Sequence, residues 1–80
     1  MNSEEFAARV EAMRTKLYRI CCMQLHDPSD REDAIQEAIF KAWKKRASLR
    51  EPRYFDTWFI RILINECHNI QKRSKRRLLA

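Results

Sequence analysis

Glycine is missing from all 80 residues, and proline occurs only at Pro28 and Pro52. Without glycine the chain has no low-cost way to take positive φ, which excludes the tight hairpin turns on which most β-rich folds depend. No run approaches the roughly 20 apolar residues of a membrane span. The opening MNSEEFAARV is acidic and polar, unlike the basic and then apolar start of a secretory signal. These features predict a cytoplasmic protein with no membrane insertion. Three cysteines, two of them adjacent at Cys21 and Cys22, make no disulfide framework. A metal site drawn from Cys21, Cys22, His26, Cys67 and His68 lacks both C-x-x-C and H-x-x-x-H spacing, so small apolar cysteines in helix faces are expected in place of a metal. A glycine-rich phosphate loop and a recognisable nucleophile–base pattern are also missing, and neither enzyme activity nor a cofactor is expected.

What the chain does contain is helical periodicity. A single small domain over residues 1–80 is expected, folded as an all-α, compact bundle of three main helices at about 4–26, 30–46 and 52–72. One further helical turn is allowed in the 47–53 connection, and a basic tail follows over 73–80. In the first helix Ser3 is the expected cap, and Phe6, Val10, Met13, Leu17 and Ile20 form an apolar seam that runs on to Leu25 or His26. Asp27-Pro28 ends it, and Ser29 with Glu32 reads as a capping box for the second. The second helix has Ala34, Ile35, Ala38, Ile39, Ala42 and Trp43 on its core side. Asp33, Gln36, Glu37, Phe40 and Lys44 lie opposite. Geometry alone leaves Phe40 open between an ordinary exposed apolar residue and the anchor of a protein-binding patch ringed by carboxylates.

The stretch Tyr54 to Lys72 carries the densest pattern. Phe55, Trp58, Phe59, Ile62, Leu63, Cys67 and Ile70 share one broad face that must be buried, widened by Ile60 and Ile64. Arg61, Asn65, His68 and Lys72 line up on the remaining side in a stripe about 60° wide, free to face a ligand. Glu66 falls inside the apolar arc, where a charge needs a partner, and an arginine is expected beside it. Pro52 suits a first helical position with Glu51 at the cap.

Charge divides the chain. Residues 1–40 hold 5 Lys and Arg against 8 Asp and Glu, net −3, whereas residues 41–80 hold 12 against 3, net +9. The basic half is suited to phosphate and the acidic half is not, so the two are expected to meet different partners. Between them, the loop 47–53 brings Arg50 and Arg53 beside Tyr54, Phe55 and Trp58, a grouping able to stack and clamp an unpaired base. Beyond Lys72, the residues Arg73, Lys75, Arg76 and Arg77 read as a phosphate-binding tail or the start of a linker.

The blocks Asp33-Ala-Ile-Gln36-Glu37-Ala-Ile-Phe40-Lys-Ala-Trp43, Ser48-Leu-Arg50 and Thr57-Trp58-Phe-Ile-Arg61-Ile-Leu-Ile-Asn65, in that order, resemble region two of the extracytoplasmic-function group of bacterial RNA polymerase sigma factors. The resemblance covers almost the whole chain. It implies a helical domain that docks on core RNA polymerase, at the clamp helices of the largest subunit, and melts the promoter minus-ten element by capturing bases of the non-template strand. By the same resemblance Asp33, Gln36, Glu37 and Phe40 correspond to the docking face. The loop from Ser48 to Tyr54, with Leu49, Arg50 and Arg53, corresponds to the pocket for a flipped base. Arg61, Asn65 and Asn69 correspond to the helix face that reads the upstream edge. Glu51-Pro52 stands where many members carry a glycine after the loop arginine, which stiffens the loop. An anti-sigma factor is a further implied partner. The family's second DNA-binding domain, the region 4 helix-turn-helix for the minus-thirty-five element, finds no counterpart here, so an isolated domain or a fragment is expected. The alternative from another class is a helical protein-interaction module that binds polymerase or a regulator without specific DNA recognition.

Overall fold

The computed structural model describes residues 1–79, with side chains as far as residue 76. Four α-helices follow one another, α1 (Ser3–Ala12), α2 (Arg14–Gln24), α3 (Pro28–Lys44) and α4 (Phe55–Leu79), with two short 3-10 turns, Arg46–Ser48 and Pro52–Tyr54, between the last two. The architecture is all-α, and none of the described residues takes a positive φ, as a chain without glycine requires.

The first helix, expected as one piece over about 4–26, is broken at Met13 (φ −98°, ψ −3°), whose N–H reaches the Val10 carbonyl at 3.0 Å. This tightened turn re-aims α1. Phe6 then packs edge-on against Trp43 and Phe55, with ring centroids 5.2 and 5.8 Å apart, while Leu17, Cys21 and Leu25 carry the seam along α2. Cys21 is fully buried where Ile20 is only partly so, and the seam ends on Leu25, not on exposed His26. Asn2, one residue before Ser3, is the cap: its Oδ1 accepts the Glu5 N–H at 2.8 Å.

The start of α3 also differs from expectation. Asp27 Oδ1 accepts the Ser29 N–H at 2.9 Å, and Pro28 occupies the first helical turn, where its missing N–H leaves no donor unmet. The proline thus opens α3 two residues early, and Asp27, not Ser29, is its cap. Arg31 turns back from α3 and donates through Nε to the Leu25 carbonyl at 2.8 Å, satisfying a carbonyl just past the end of α2. At the other end α3 stops at Lys44, and residues 46–48 form a 3-10 turn.

The core is built on α4. Phe55, Phe59, Leu63, Cys67 and Ile70 are buried, with Trp58, Ile60 and Ile62 packed partly buried against them. Two expectations are corrected here. Helix α4 begins at Phe55, since Pro52–Tyr54 close a 3-10 turn after Glu51, and it continues to Leu79 where a non-helical basic tail was expected from 73. Lysine and arginine are good helix formers and are favoured near the negative end of the helix dipole. Gln71 Nε2 further pins this turn by donating to the Gln24 carbonyl at 2.6 Å. Ala80 and the side chains of residues 77–79 lie outside the described residues, so Arg77 is placed only as a helical position.

Glu66, the single buried charged residue among those described, is 4% exposed. Its partner is Lys41 of α3, not an arginine: Lys41 Nζ donates to Glu66 Oε1. The pair ties α3 to α4 across the edge of the core.

Candidate nucleic-acid interface and docking face

The outer face of α3 presents Asp33, Gln36, Glu37, Phe40 and Lys44 to solvent together. The Phe40 ring is 56% exposed, and Lys44 Nζ sits 4.9 Å from its centroid. Such an aromatic ring, flanked by carboxylates and turned away from its own core, has the composition of a protein-binding anchor.

A second region forms where the connection meets α4. Ser48, Leu49, Arg50, Tyr54, Trp58 and Arg61 line an open pocket of about 370 Å³, joined by Glu51 and Thr57. Its walls are set by specific bonds. Trp58 Nε1 donates to Ser48 Oγ at 3.2 Å, and Ser48 Oγ donates to the Lys45 carbonyl at 2.7 Å, so the indole on α4 is fastened to the turn that follows α3. From the opposite side Arg9 of α1 donates to the Pro52 carbonyl at 2.8 Å and lies 5.6 Å from the Phe55 ring centre, which holds the second turn down. Tyr54 is 54% exposed, and the Arg53 guanidinium covers its ring at 5.0 Å without joining the pocket lining. The pocket therefore offers aromatic and cationic groups on a fixed frame.

The third region adjoins the second along α4. Arg61, Asn65, His68, Asn69 and Lys72 are all exposed. Asn65, His68, Asn69 and Lys72 line a shallow depression of about 380 Å³ whose other wall holds Lys41 and Lys45. Those two lysines, Ile62 and Glu66 in the same depression, and Thr57 in the aromatic pocket are lining residues to which the sequence reading gave no binding role. No periodicity within α4 could reveal Lys41 and Lys45, because they arrive from α3 and the residue after it.

Arg76 is not brought to this stripe, whereas Arg73 meets it at Asn69, in a depression of about 480 Å³ lined also by Asp33, Gln36, Glu37, Lys41 and Glu66. Arg73 and Arg76 together line a further depression of about 420 Å³ with Asp30, Asp33 and Ile70, because continuing the helix carries them round to the side facing the acidic start of α3. The acidic start of α3 and the basic end of α4 thus meet at that end of the molecule.

Among the described residues, no three of His, Cys, Asp and Glu come together so as to hold a metal ion, and no helix is long and apolar enough to cross a membrane. Cys21 and Cys67 face each other across α2 and α4. Burial, together with the adjacent Cys67, pushes the Cys21 thiol up to about 12, and burial raises Cys67 as well. Both thiols therefore stay protonated and act as small apolar core groups, while Cys22 is exposed.

The arrangement defines a small helical domain with an acidic, aromatic face on one helix and a basic polar face on another, joined by an aromatic pocket. The chain belongs to the Sigma-70 region 2 family, which matches it over residues 9–77. It is similar to the ECF RNA polymerase sigma factor SigG of Mycobacterium tuberculosis, 31% identical over 75 residues, 94% of this chain and 20% of that protein. It is also similar to the ECF RNA polymerase sigma factor SigW of Bacillus subtilis, 33% identical over 64 residues, 80% of this chain and 34% of that protein. The chain thus spans about a fifth to a third of the length of these relatives. No solved structure matches it significantly.

Proposed function

We propose that this chain is a region 2 domain acting in transcription initiation: it docks on core RNA polymerase through α3 and captures non-template bases of the promoter minus-ten element at the connection and α4. The observation that carries the reading is the pocket of Ser48, Leu49, Arg50, Tyr54, Trp58 and Arg61, which opens directly beside the polar face of Asn65, His68, Asn69 and Lys72. A flipped base needs an aromatic platform and a cation for its phosphate, and the pocket supplies Tyr54, Trp58, Arg50 and Arg61 within one wall. Stacking of roughly 1–3 kcal/mol per base offsets the few kcal/mol of unstacking, so capture requires no chemistry and no cofactor.

The docking face is Asp33, Gln36, Glu37, Phe40 and Lys44, and its fit is to the clamp helices of the largest polymerase subunit. Its acidic character keeps it off the phosphate backbone. Arg53 supports Tyr54 from behind, while Arg73 and Arg76, turned toward Asp30 and Asp33, contribute to DNA only as a diffuse field. In this reading the protein works in the cytoplasm, residues 1–80 form one domain, and an anti-sigma factor is a further candidate partner.

The test is fluorescence anisotropy of a labelled non-template minus-ten strand across a salt series, beside a scrambled strand of equal length. Sequence-preferring binding that weakens with salt and disappears on replacing Arg61 and Asn65 with alanine is expected. Equal binding to both strands, unchanged by those substitutions, would instead favour a domain that only binds protein through Phe40.

A further inference from the structure

The depression between α4 and the end of α3 holds more positive charge than its one carboxylate can neutralise. Lys41, Lys45, His68 and Lys72 line it, and the carboxylate is Glu66. Glu66 is buried and accepts from Lys41 Nζ, so that pair satisfies itself. Lys45 and Lys72 are exposed, and neither has a carboxylate partner among the described residues. Their side chains come from different elements, Lys45 from the C-cap of α3 and Lys72 from α4. Lys44, the preceding residue, is engaged elsewhere, over the Phe40 ring.

Lys45 also reaches the aromatic pocket, through its backbone. Its carbonyl accepts the Ser48 N–H at 2.8 Å and the Ser48 hydroxyl at 2.7 Å, and the same Oγ accepts from Trp58 Nε1 at 3.2 Å. One residue thus ties the frame of the pocket with its main chain and leaves its ammonium group to the next depression along α4.

We propose that Lys45 and Lys72 form a two-sided seat for one backbone phosphate of the captured strand, next to the base pocket. The proposal rests on the reading of α4 as the nucleic-acid face and adds a contact there that is blind to sequence. A phosphodiester spreads its negative charge over two free oxygens, and an ammonium group donates from any of three N–H bonds, so the fit needs no particular base or base orientation. Asn65 in this depression and Arg61 in the pocket lie about 6 Å apart along the helix axis. A phosphate held here therefore sets the register of the strand whose base enters the pocket.

The experiment measures anisotropy of the labelled minus-ten and scrambled strands across a salt series, with a single uncharged methylphosphonate placed at each linkage in turn. It uses the wild-type chain, Lys45→Gln and Lys72→Gln, with a melting curve for each. Lys16→Gln removes the same charge from an exposed position on α2 and serves as the control. Glutamine at 45 keeps the carbonyl that holds Ser48. Lys45→Gln is expected to weaken both strands alike, roughly fivefold, as for one lost ion pair at an exposed site. The slope of log affinity against log salt should fall by up to about 0.7, the share of one phosphate on a single strand, while the ratio between the strands stays within about twofold of wild type. In the wild type one linkage should lose roughly tenfold when neutralised, and that loss should shrink to about threefold, at the same linkage, in each lysine variant. Lys16→Gln should match the wild type throughout. Wild-type binding and slope in Lys45→Gln, an equal loss in Lys16→Gln, a changed ratio between the strands, or different linkages for the two lysines would each overturn the proposal and leave the DNA reading standing. Equal wild-type binding of both strands, with the two lysines still sharing one linkage, would overturn the sequence-specific reading and support the seat. A wild type that binds neither strand would overturn both.

Discussion

Replacing Lys41 with methionine isolates what the α3–α4 ion pair contributes. The substitution keeps the stem that packs at the edge of the core and deletes only the ammonium group. Breaking a fully buried pair costs about 3–5 kcal/mol, because the remaining charge is left uncompensated. Here the Glu66 side chain is 6% exposed but that of Lys41 is 38% exposed, so solvent already screens one end, and the Asn69 amide continues to donate to the carboxylate. A loss of about 2 kcal/mol is therefore expected. For a domain of this size that is a fall in Tm of roughly 8–16 °C. The double variant Lys41→Met with Glu66→Gln removes the orphaned charge and should recover all but about 1 kcal/mol. Glu66→Gln alone should cost less than about 1 kcal/mol, since Lys41 can turn to water. Urea unfolding followed by tryptophan fluorescence, read as a double-mutant cycle, gives all three values. The reasoning fails if Lys41→Met costs less than about 0.5 kcal/mol, the range of an ordinary surface change, or if the double variant is as unstable as the single one.

Other outcomes follow from the same geometry. Phe40→Ala should leave stability within about 0.5 kcal/mol, as for other exposed positions, yet lower affinity for the isolated polymerase clamp at least tenfold, as expected of an interface anchor; surface plasmon resonance showing unchanged affinity would remove α3 as the docking face. Trp58→Phe deletes the bond to Ser48 Oγ and should cost about 0.5–1.5 kcal/mol, with faster amide exchange across residues 46–49 as the diagnostic readout. Iodoacetamide at pH 8 should alkylate exposed Cys22 and spare Cys21 and Cys67, as mass spectrometry of the native chain would report. The Cys21 thiol ionises near its ordinary value of 9.0 when unfolded and only at about 12 when folded, so above pH 9 the unfolded state binds fewer protons than the folded one. Its contribution is present in full below about pH 9 and is lost as pH rises toward 12, by up to about 1.4 kcal/mol per pH unit. Cys21→Ala should flatten that slope, and an unchanged slope would mean that another group governs alkaline unfolding.

The helices were legible because their burial follows a period that needs no partner to be seen. Phe55, Phe59, Leu63, Cys67 and Ile70 fall on one side by rotation alone, and the structure buries all five. The exposed stripe from Arg61 to Lys72 and the outward face of Asp33, Gln36, Glu37 and Phe40 were legible for the same reason. Boundaries were less so, because a cap depends on which of several adjacent polar side chains reaches the free N–H groups: Asn2 over Ser3, Asp27 over Ser29.

What the sequence by itself determined was therefore the all-helical class, the inward face of each helix and the separation of acidic from basic halves, all properties of order within one segment. Tertiary structure alone decided what faces each helix from elsewhere. It set Lys41 on Glu66, brought Lys41 and Lys45 to the wall opposite Asn65 and Lys72, and turned Arg73 and Arg76 toward Asp30 and Asp33. It also fastened Trp58 to Ser48. The physical reason is that periodicity reports the direction of a side chain about its own helix axis, whereas the partner it meets depends on how the helices cross, and that crossing is set by the packing of the whole core.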